Sequence, residues 1–183
     1  MTDAIGTLNN TTLAGGPSQS DTSDVVLAVG IESMNAYEGK VNQYYKMVHR
    51  QNVLMANLNK CMEFAQSKQG IDHGVRVDTG IHLTNPDTDE PEYVVLSTYL
   101  QDQGVALPSK LDTARDRNWN KDQWKVALDN MKTASDSISS GNQVDMMKLQ
   151  SVLNKSNQMS SMTSDIMSKA NTAAMGIIGN MPR

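Results

Sequence analysis

Apolar residues recur at alternating spacings of four and three along the first part of the chain, from Ser23 to about Gln69. This spacing is typical of a helix that packs along one side in a coiled coil. Ser23 is suited to cap the helix at its start, and Gly70 is suited to end it. The predicted contact positions of this first long helix are Leu27, Ile31, Met34, Val41, Tyr45, Val48, Met55 and Met62. A second strip widens the apolar side: Tyr37, Tyr44, Leu54, Leu58, Cys61 and Ala65.

The last part of the chain predicts a second long helix, which begins near Lys121 after a cap at Asn118 or Asn120. Ser139, Ser140 and Gly141 lower the helix propensity, so the sequence predicts a break or kink there. From residue 142 to 169 the helix carries only five charged residues. Because the outer face of a helix on a soluble core is usually rich in charge, this composition favours packing on more than one side. The predicted contact positions here are Met146, Leu149, Leu153, Met159, Ile166, Met167, Ala170, Ala174 and Ile177.

An insert at residues 70–120 separates the two helices. The alternation in GVRVDTGIHL predicts short strands that form a hairpin around the Thr79–Gly80 turn. An acidic, turn-rich loop follows, and residues 72–92 hold six acidic residues against one base. Residues 91–104 then predict a short helix, with Pro91 in its first turn and Gly104 at its end.

These elements predict a mainly all-α fold. Two long antiparallel helices form a coiled-coil hairpin, and a small irregular insert with a possible short β-hairpin and short helix lies between them. Residues 24–183 form one domain. Residues 1–23 are rich in Ser, Thr, Asn and Gly, a composition that cannot bury enough surface to order itself, so we expect a disordered tail that serves as a secretion signal.

Charge and motifs argue against several function classes. The net charge is −4 and no basic stripe is present, which argues against nucleic acid as the main partner. No apolar run approaches the ~18 residues of a membrane span. The sequence contains no phosphate-binding loop, dinucleotide fingerprint or zinc-protease motif, so we expect no enzyme activity and no cofactor.

Individual reactive residues have plainer explanations. Asp72, His73, Asp78 and His82 could surround a metal ion, but their spacing fits no standard ligand pattern, and an acidic surface loop explains them better. Cys61 is expected to be a small buried hydrophobic residue, and His49 is expected to lie on a solvated face. We therefore predict no catalytic and no metal site.

The C-terminal half carries a family resemblance. Gln143, Leu149, Leu153 and Asn154 follow the pattern of the terminal helix in the EspA/SseB-type filament proteins of type III secretion. LSTYLQDQGVALP is similar to the short helix and loop of that family, and KDQWKVALDNMKTASDSIS is similar to the segment that leads into its last helix. The resemblance covers residues 95–183 and extends to the first helix only in architecture. The acidic insert departs from the family pattern.

The resemblance implies a secreted structural subunit on the bacterial cell surface. It would self-assemble into a hollow helical filament at the tip of the secretion needle, through which translocators and effectors pass. Its implied partners are copies of itself, a dedicated secretion chaperone, the needle subunit and the translocator proteins. Two alternatives stay open: a needle-tip or hydrophilic translocator protein that does not polymerise, and an intracellular helical adaptor or chaperone.

Overall fold

Two long helices account for most of the chain. The computed structural model describes residues 19–69, 74–111 and 117–179. Helix α1 spans Gln19–Lys68, and the last helix, α3, spans Lys121–Gly179. A small insert with short strands and one short helix connects them. The predicted fold class is confirmed.

The two helices pack against each other in opposite directions. Gln51 on α1 donates a hydrogen bond to Asp145 on α3, whereas Phe64, farther along α1, contacts Trp124 near the start of α3. Internal contacts divide the chain into two units, residues 1–38 with 154–183 and residues 39–153. The first unit thus holds one end of each helix, and the second holds the other ends and the insert.

The hydrophobic core of the second unit lies where the insert covers the two helices. The rings of Trp119 and Trp124 meet edge to face with their centroids 4.9 Å apart, and the ring of Phe64 lies 5.9 Å from that of Trp124. Such aromatic pairs add to the stabilisation that burial alone provides. The buried members of this core are Leu58, Cys61, Ala65, Val77, Leu83, Leu96, Leu100, Val105, Trp119, Trp124, Ala127 and Met131.

The insert contains two small antiparallel sheets. Strand β1 (Val75–Arg76) pairs with β4 (Asn118–Trp119), which closes the insert at its base. Strand β2 (Gly80–Thr84) pairs with β3 (Pro91–Val95), and helix α2 (Leu96–Asp102) follows directly.

The predicted hairpin around Thr79–Gly80 is wrong, because β1 and β2 do not pair with each other. The hairpin turn lies instead in the acidic loop at residues 85–90. Asn85 N–H donates to the Glu90 carbonyl at 2.8 Å, and the Asn85 side chain accepts the Asp87 N–H at 2.9 Å. Asp89 adopts a positive φ of 60°, which Asp tolerates better than most residues. The turn chemistry of this loop therefore decides which strands pair.

The prediction that Pro91 opens a helix is also wrong, since Pro91 begins β3. Pro91 lies opposite Thr84, at a position where the ladder needs no N–H donor. The main chain of Thr84 bonds the side chain of Asn57 instead, with its N–H at 3.0 Å and its carbonyl at 2.7 Å. The helix starts five residues later than Pro91. The predicted end is confirmed, because Gly104 follows α2 with a φ of 71°.

Helix α3 begins at a capping box. Asn120 accepts the Gln123 N–H at 2.9 Å, and Gln123 accepts the Asn120 N–H at 3.0 Å, which confirms Asn120 as the cap. The predicted break at residues 139–141 is wrong, because α3 continues through them. Ser140 bonds back to the Asp136 carbonyl, and Asn142 donates to Asn52 on α1 at 2.6 Å, so contacts with the partner helix outweigh the low propensity.

The predicted cap at Ser23 is wrong as well. Helix α1 begins at Gln19, and Ser23 lies inside it. No Gly or Pro occurs between Gln19 and Ser23, so nothing in that stretch interrupts the helix. Most of the predicted tail, residues 1–18, lies outside the described residues.

Candidate assembly surface

In the second unit, α1 and α3 contact each other through residues spaced alternately by three and four. Each of these residues is buried or half-buried. Along each helix, the residue directly after every second member of this series is generally exposed. This alternation is the heptad pattern of a coiled coil. The buried or half-buried residues at this spacing are Val41, Tyr44, Val48, Gln51, Met55 and Leu58 on α1, and Ile138, Asn142, Asp145, Leu149 and Val152 on α3, and we take them as the contact positions.

The first unit repeats the same alternation with smaller side chains. A Cβ atom added to Gly30 would lie 2.9 Å from Oγ1 of Thr163, so the two helices approach closely at this point. Only glycine fits there without a shift of the neighbouring side chain. The contact residues of this unit are Leu27, Gly30, Met34 and Tyr37 on α1, and Ser156, Met159, Thr163, Ile166 and Ala170 on α3.

In each unit, large apolar side chains lie beside the helix contact and remain exposed, although polar Glu38, Asn52 and Ser160 occupy equivalent exposed positions. In an antiparallel coiled coil, the residue directly after every second contact residue of one helix lies on the same side of the pair as the equivalent residue of the other helix. We call these side chains the apolar flank. In the first unit they are Ile31, 47% exposed, and Met167, 49% exposed; in the second they are Tyr45, 63%, Met146, 40%, and Leu153, 40%.

The predicted assembly residues therefore divide into two groups. Eight of them lie in the contact between the helices: Leu27, Met34, Val41, Val48, Leu149, Met159, Ile166 and Ala170. Five form the apolar flank: Ile31, Tyr45, Met146, Leu153 and Met167. The side chains of Ala174 and Ile177 lie outside the description. Leu153, which the sequence placed in a packed seam, is largely accessible in the single chain.

A polar layer crosses the helix contact of the second unit. Gln51 Nε2 donates to Asp145 Oδ2 at 3.0 Å, and Lys148 Nζ donates to Asp145 Oδ1 at 3.1 Å. These hydrogen bonds, first from Lys148 and then from Gln51, hold the pKa of Asp145 below its usual value. Beside them Asn142 bonds Asn52. Since a shifted register would leave these buried groups unpaired, the layer favours a single alignment of the two helices.

The sequence prediction does not include this layer, because it follows the apolar spacing. Gln51, Asn142 and Asp145 interrupt the apolar strip. They can be found by counting the heptad strictly from Leu27 through Gly30 and the later contact positions. In this count, polar residues occupy contact positions without changing the spacing.

We expect Asp145→Asn to lower the free energy of unfolding at neutral pH and to make it less dependent on acid pH. The folded-state pKa of Asp145 lies below the ordinary 3.8, so its stabilisation is present above that value and is lost as the pH falls through the folded pKa. Urea unfolding followed by circular dichroism, at a series of acid pH values, measures the difference. Asp165→Asn, at an exposed position of the same helix, is the control. Parallel stability curves for Asp145→Asn and the parent would contradict the expectation.

The acidic loop is tied to α1 by one exposed ion pair and one exposed hydrogen bond. Asp87 accepts a hydrogen bond from Arg50 Nη1 at 2.7 Å, and Asp89 accepts one from His49 Nε2 at 2.8 Å. The expectation that His49 lies on a solvated face is confirmed, since its side chain is 42% exposed, and the turn of the β2–β3 hairpin also brings a carboxylate to it. Exposed pairs of this kind contribute only about 0–1 kcal/mol each. They orient the loop more than they stabilise the fold.

The residues considered for chemistry are held in other roles. Burial raises the pKa of the Cys61 thiol to about 12. Asp78 pairs with Arg76 and Arg117, and His82 packs against the ring of Tyr93. Asp72 and His73 lie outside the described residues. Within residues 19–69, 74–111 and 117–179, no three His, Cys, Asp or Glu side chains are grouped as metal ligands. In the same ranges, no helix has the length and apolar character that crossing a membrane requires.

Comparison with known proteins adds no family: no family model, curated protein or solved structure matches the chain.

Proposed function

We propose that this protein is a secreted structural subunit that assembles with copies of itself into a hollow filament at the tip of a type III secretion needle. The observation that carries the proposal is the apolar flank. Tyr45 and Leu153 in one unit, and Ile31 and Met167 in the other, leave two-fifths or more of their surface in water. In each unit, the large apolar side chains on α1 and α3 are therefore the surface that we assign to a neighbouring subunit.

The composition of α3 supports self-assembly over the binding of a small molecule. Its five charges between residues 142 and 169 leave a long surface of Met, Ser, Asn and Gln. Met147 and Met175, away from the helix contact, are 70% and 75% exposed. Methionine packs adaptably against varied surfaces, which suits a subunit that meets neighbours on several sides.

The assignment to a type III secretion system rests on the resemblance of residues 95–183 to the EspA/SseB-type proteins. On that basis, the partners are copies of the chain, a chaperone that masks the helices before export, the needle subunit and the translocators. The assembled protein is extracellular and attached to the bacterial surface, and it acts as a conduit without enzymatic activity.

The direct test is to image the purified protein. We expect negative-stain electron microscopy to show fibres, and sedimentation to show that the pelleted fraction rises with protein concentration. A chain that stays monomeric over the whole range would overturn the filament. Small closed rings would instead favour a needle-tip protein that does not polymerise.

The apolar flank also fits a second candidate function, a helical adaptor or chaperone. Exposed residues on both helices of a hairpin are suited to receive one amphipathic helix of a client protein. Size-exclusion chromatography separates the two functions. A stable complex of fixed stoichiometry with a single client favours the adaptor, whereas growth without a fixed end point favours the filament.

We expect removal of residues 2–18 to abolish export while the helices still form. The reason is their composition, rich in Ser, Thr, Asn and Gly, which resembles that of a disordered secretion signal. Immunoblots of culture supernatants, from cells with and without a working type III apparatus, measure export, and circular dichroism measures helix content. An Asp87→Ser, Asp89→Ser variant that keeps residues 1–18 is the control. Normal export of the shortened chain would argue against a type III signal in this segment.

A further inference from the structure

We propose that the outer edge of β3 binds an extended, basic peptide segment of a partner protein as an added β-strand. This inference goes beyond the proposed function and does not depend on it. It rests on three features of the insert: unpaired main-chain groups on β3, outward groups of β2 that are bonded at Thr84, and an acidic cleft beside the open edge of β3.

The hydrogen-bond phase of the β2–β3 hairpin shows which main-chain groups are free. Asn85 N–H bonds the Glu90 carbonyl at 2.8 Å, and Leu96 N–H bonds the Thr79 carbonyl at 3.0 Å. Because hydrogen-bonded pairs alternate along an antiparallel ladder, Tyr93 lies opposite His82 at a position where its N–H and carbonyl point away from β2.

Two consequences follow for the edge of β3. The N–H of Val95 points the same way as that of Tyr93, while the Val95 carbonyl belongs to the N-cap of α2. The Tyr93 N–H and carbonyl and the Val95 N–H form no hydrogen bond with another described residue. An exposed row of this kind is a template for a further strand.

The opposite edge of the hairpin is covered by α1 at its Thr84 end. Asn57 is buried and bonds both the N–H and the carbonyl of Thr84, which are the outward groups of β2 at that end. An incoming strand therefore meets unpaired main-chain groups on β3 and not at Thr84. The outward main-chain groups of β2 at Thr84 are thus hydrogen-bonded, whereas those of β3 at Tyr93 have no partner among the described residues.

A cleft of about 280 Å³ runs beside the open edge, between β3 and α2. Val94 and Tyr99 supply apolar surface in it, and the carboxylates of Glu92 and Asp102 are exposed along it. Among the described residues, no Lys, Arg or His lines it. One Glu92 oxygen accepts a hydrogen bond from Asn85 Nδ2 at 3.2 Å, which leaves its negative charge unneutralised. The cleft thus has the charge that recognises basic side chains.

The side chains of an added strand alternate between two faces, so every second residue would enter the cleft. Lys or Arg at those positions would meet Glu92 and Asp102, and apolar residues between them would lie beside exposed Tyr93 and Val95. A second copy of β3 fits less well, because it would bring another Glu90 and Glu92 to an edge that is already acidic. The partner is therefore an extended segment with alternating basic residues.

The proposal can be tested by measuring the binding of a fluorescent peptide, TKVKVKT, and of its charge control, TEVEVET, to the full-length protein. We expect saturable binding of TKVKVKT by fluorescence anisotropy and about tenfold weaker binding of TEVEVET. Hydrogen exchange, followed by mass spectrometry at residue resolution, should show that the Tyr93 and Val95 amides become protected when TKVKVKT is bound.

Two variants separate strand addition from attraction by charge alone. Tyr93→Pro removes an outward N–H that the β2–β3 ladder does not use, so the hairpin should persist while binding weakens about tenfold or more. Tyr93→Thr also removes the ring but keeps the N–H, and should bind more tightly than Tyr93→Pro. Glu92→Lys with Asp102→Lys should abolish the preference for TKVKVKT.

Several results would overturn the proposal. They are no saturable binding of TKVKVKT, equal binding of TEVEVET, binding without protection of the Tyr93 and Val95 amides, and equal affinities of Tyr93→Pro and Tyr93→Thr.

Discussion

Exchange of Leu153 and Met167 for Asp is expected to leave the helices folded and to abolish assembly. Both side chains belong to the apolar flank and are 40% and 49% exposed, so the new carboxylates keep their water in the single chain. Substitutions at such sites usually change the free energy of unfolding by less than about 0.5 kcal/mol. A neighbouring subunit that covers the flank residues of either unit would instead bury an unpaired charge, at a cost of several kcal/mol. Negative-stain microscopy and sedimentation measure assembly, and circular dichroism measures the fold.

The matched control exchanges Ser161 and Ser168 for Asp. These residues are exposed on the side of α3 away from the helix contact, and the control changes the net charge by the same amount. We expect it to assemble more like the parent than the flank variant does. Normal fibres from the flank variant would show that subunits meet through other surfaces, and loss of helix in it would show that the flank is needed for folding.

Trp124→Ala is expected to destabilise the second unit most strongly of the single substitutions considered. Trp124 is fully buried and contacts the rings of Trp119 and Phe64. Removal of a buried Trp side chain typically costs about 3–5 kcal/mol, against a total of about 5–15 kcal/mol for a whole domain. Thermal and urea unfolding, followed by circular dichroism, should show a large loss of stability.

Two further substitutions make this test specific. Val126→Ala, at a position of α3 that is 46% exposed, should change stability little. Trp124→Phe keeps a ring in the core and removes a buried Nε1–H that has no hydrogen-bond partner among the described residues, so it should cost less than Trp124→Ala. Equal stabilities of Trp124→Ala and Val126→Ala would show that the insert does not depend on this core.

The sequence predicts the two helices well because their apolar spacing is long and regular. It predicts the contact less well, because the apolar strip is broader than one partner helix can cover. Ile31 and Leu153 satisfy the hydrophobic pattern but lie outside the heptad, whereas Gly30 and Asp145 satisfy the heptad without being apolar. Apolar character determines which face of a helix tends to be buried, and the geometry of two packed helices determines which residues are in contact.

In the insert, the sequence predicts the right kinds of element in the wrong places. Short strands pair over few residues, so hydrogen bonds from elsewhere determine their partners. The side chain of Asn57, far away in sequence, takes the outward groups of Thr84, and the turn begins at Asn85. The contact of Arg50 with Asp87 likewise joins residues 37 positions apart. The pattern of apolar and polar residues along the chain does not predict contacts between residues so far apart in sequence.

The burial of Cys61 has a practical consequence for work on assembly. With a pKa of about 12, this thiol is protonated at neutral pH, and its burial shields it from reagents. It is the one cysteine of the chain. A cysteine introduced at an exposed position, such as Ser161, would therefore be the reactive group for a maleimide dye or a spin label. Distances between labelled subunits could then be measured in the native chain without first removing a residue from its core.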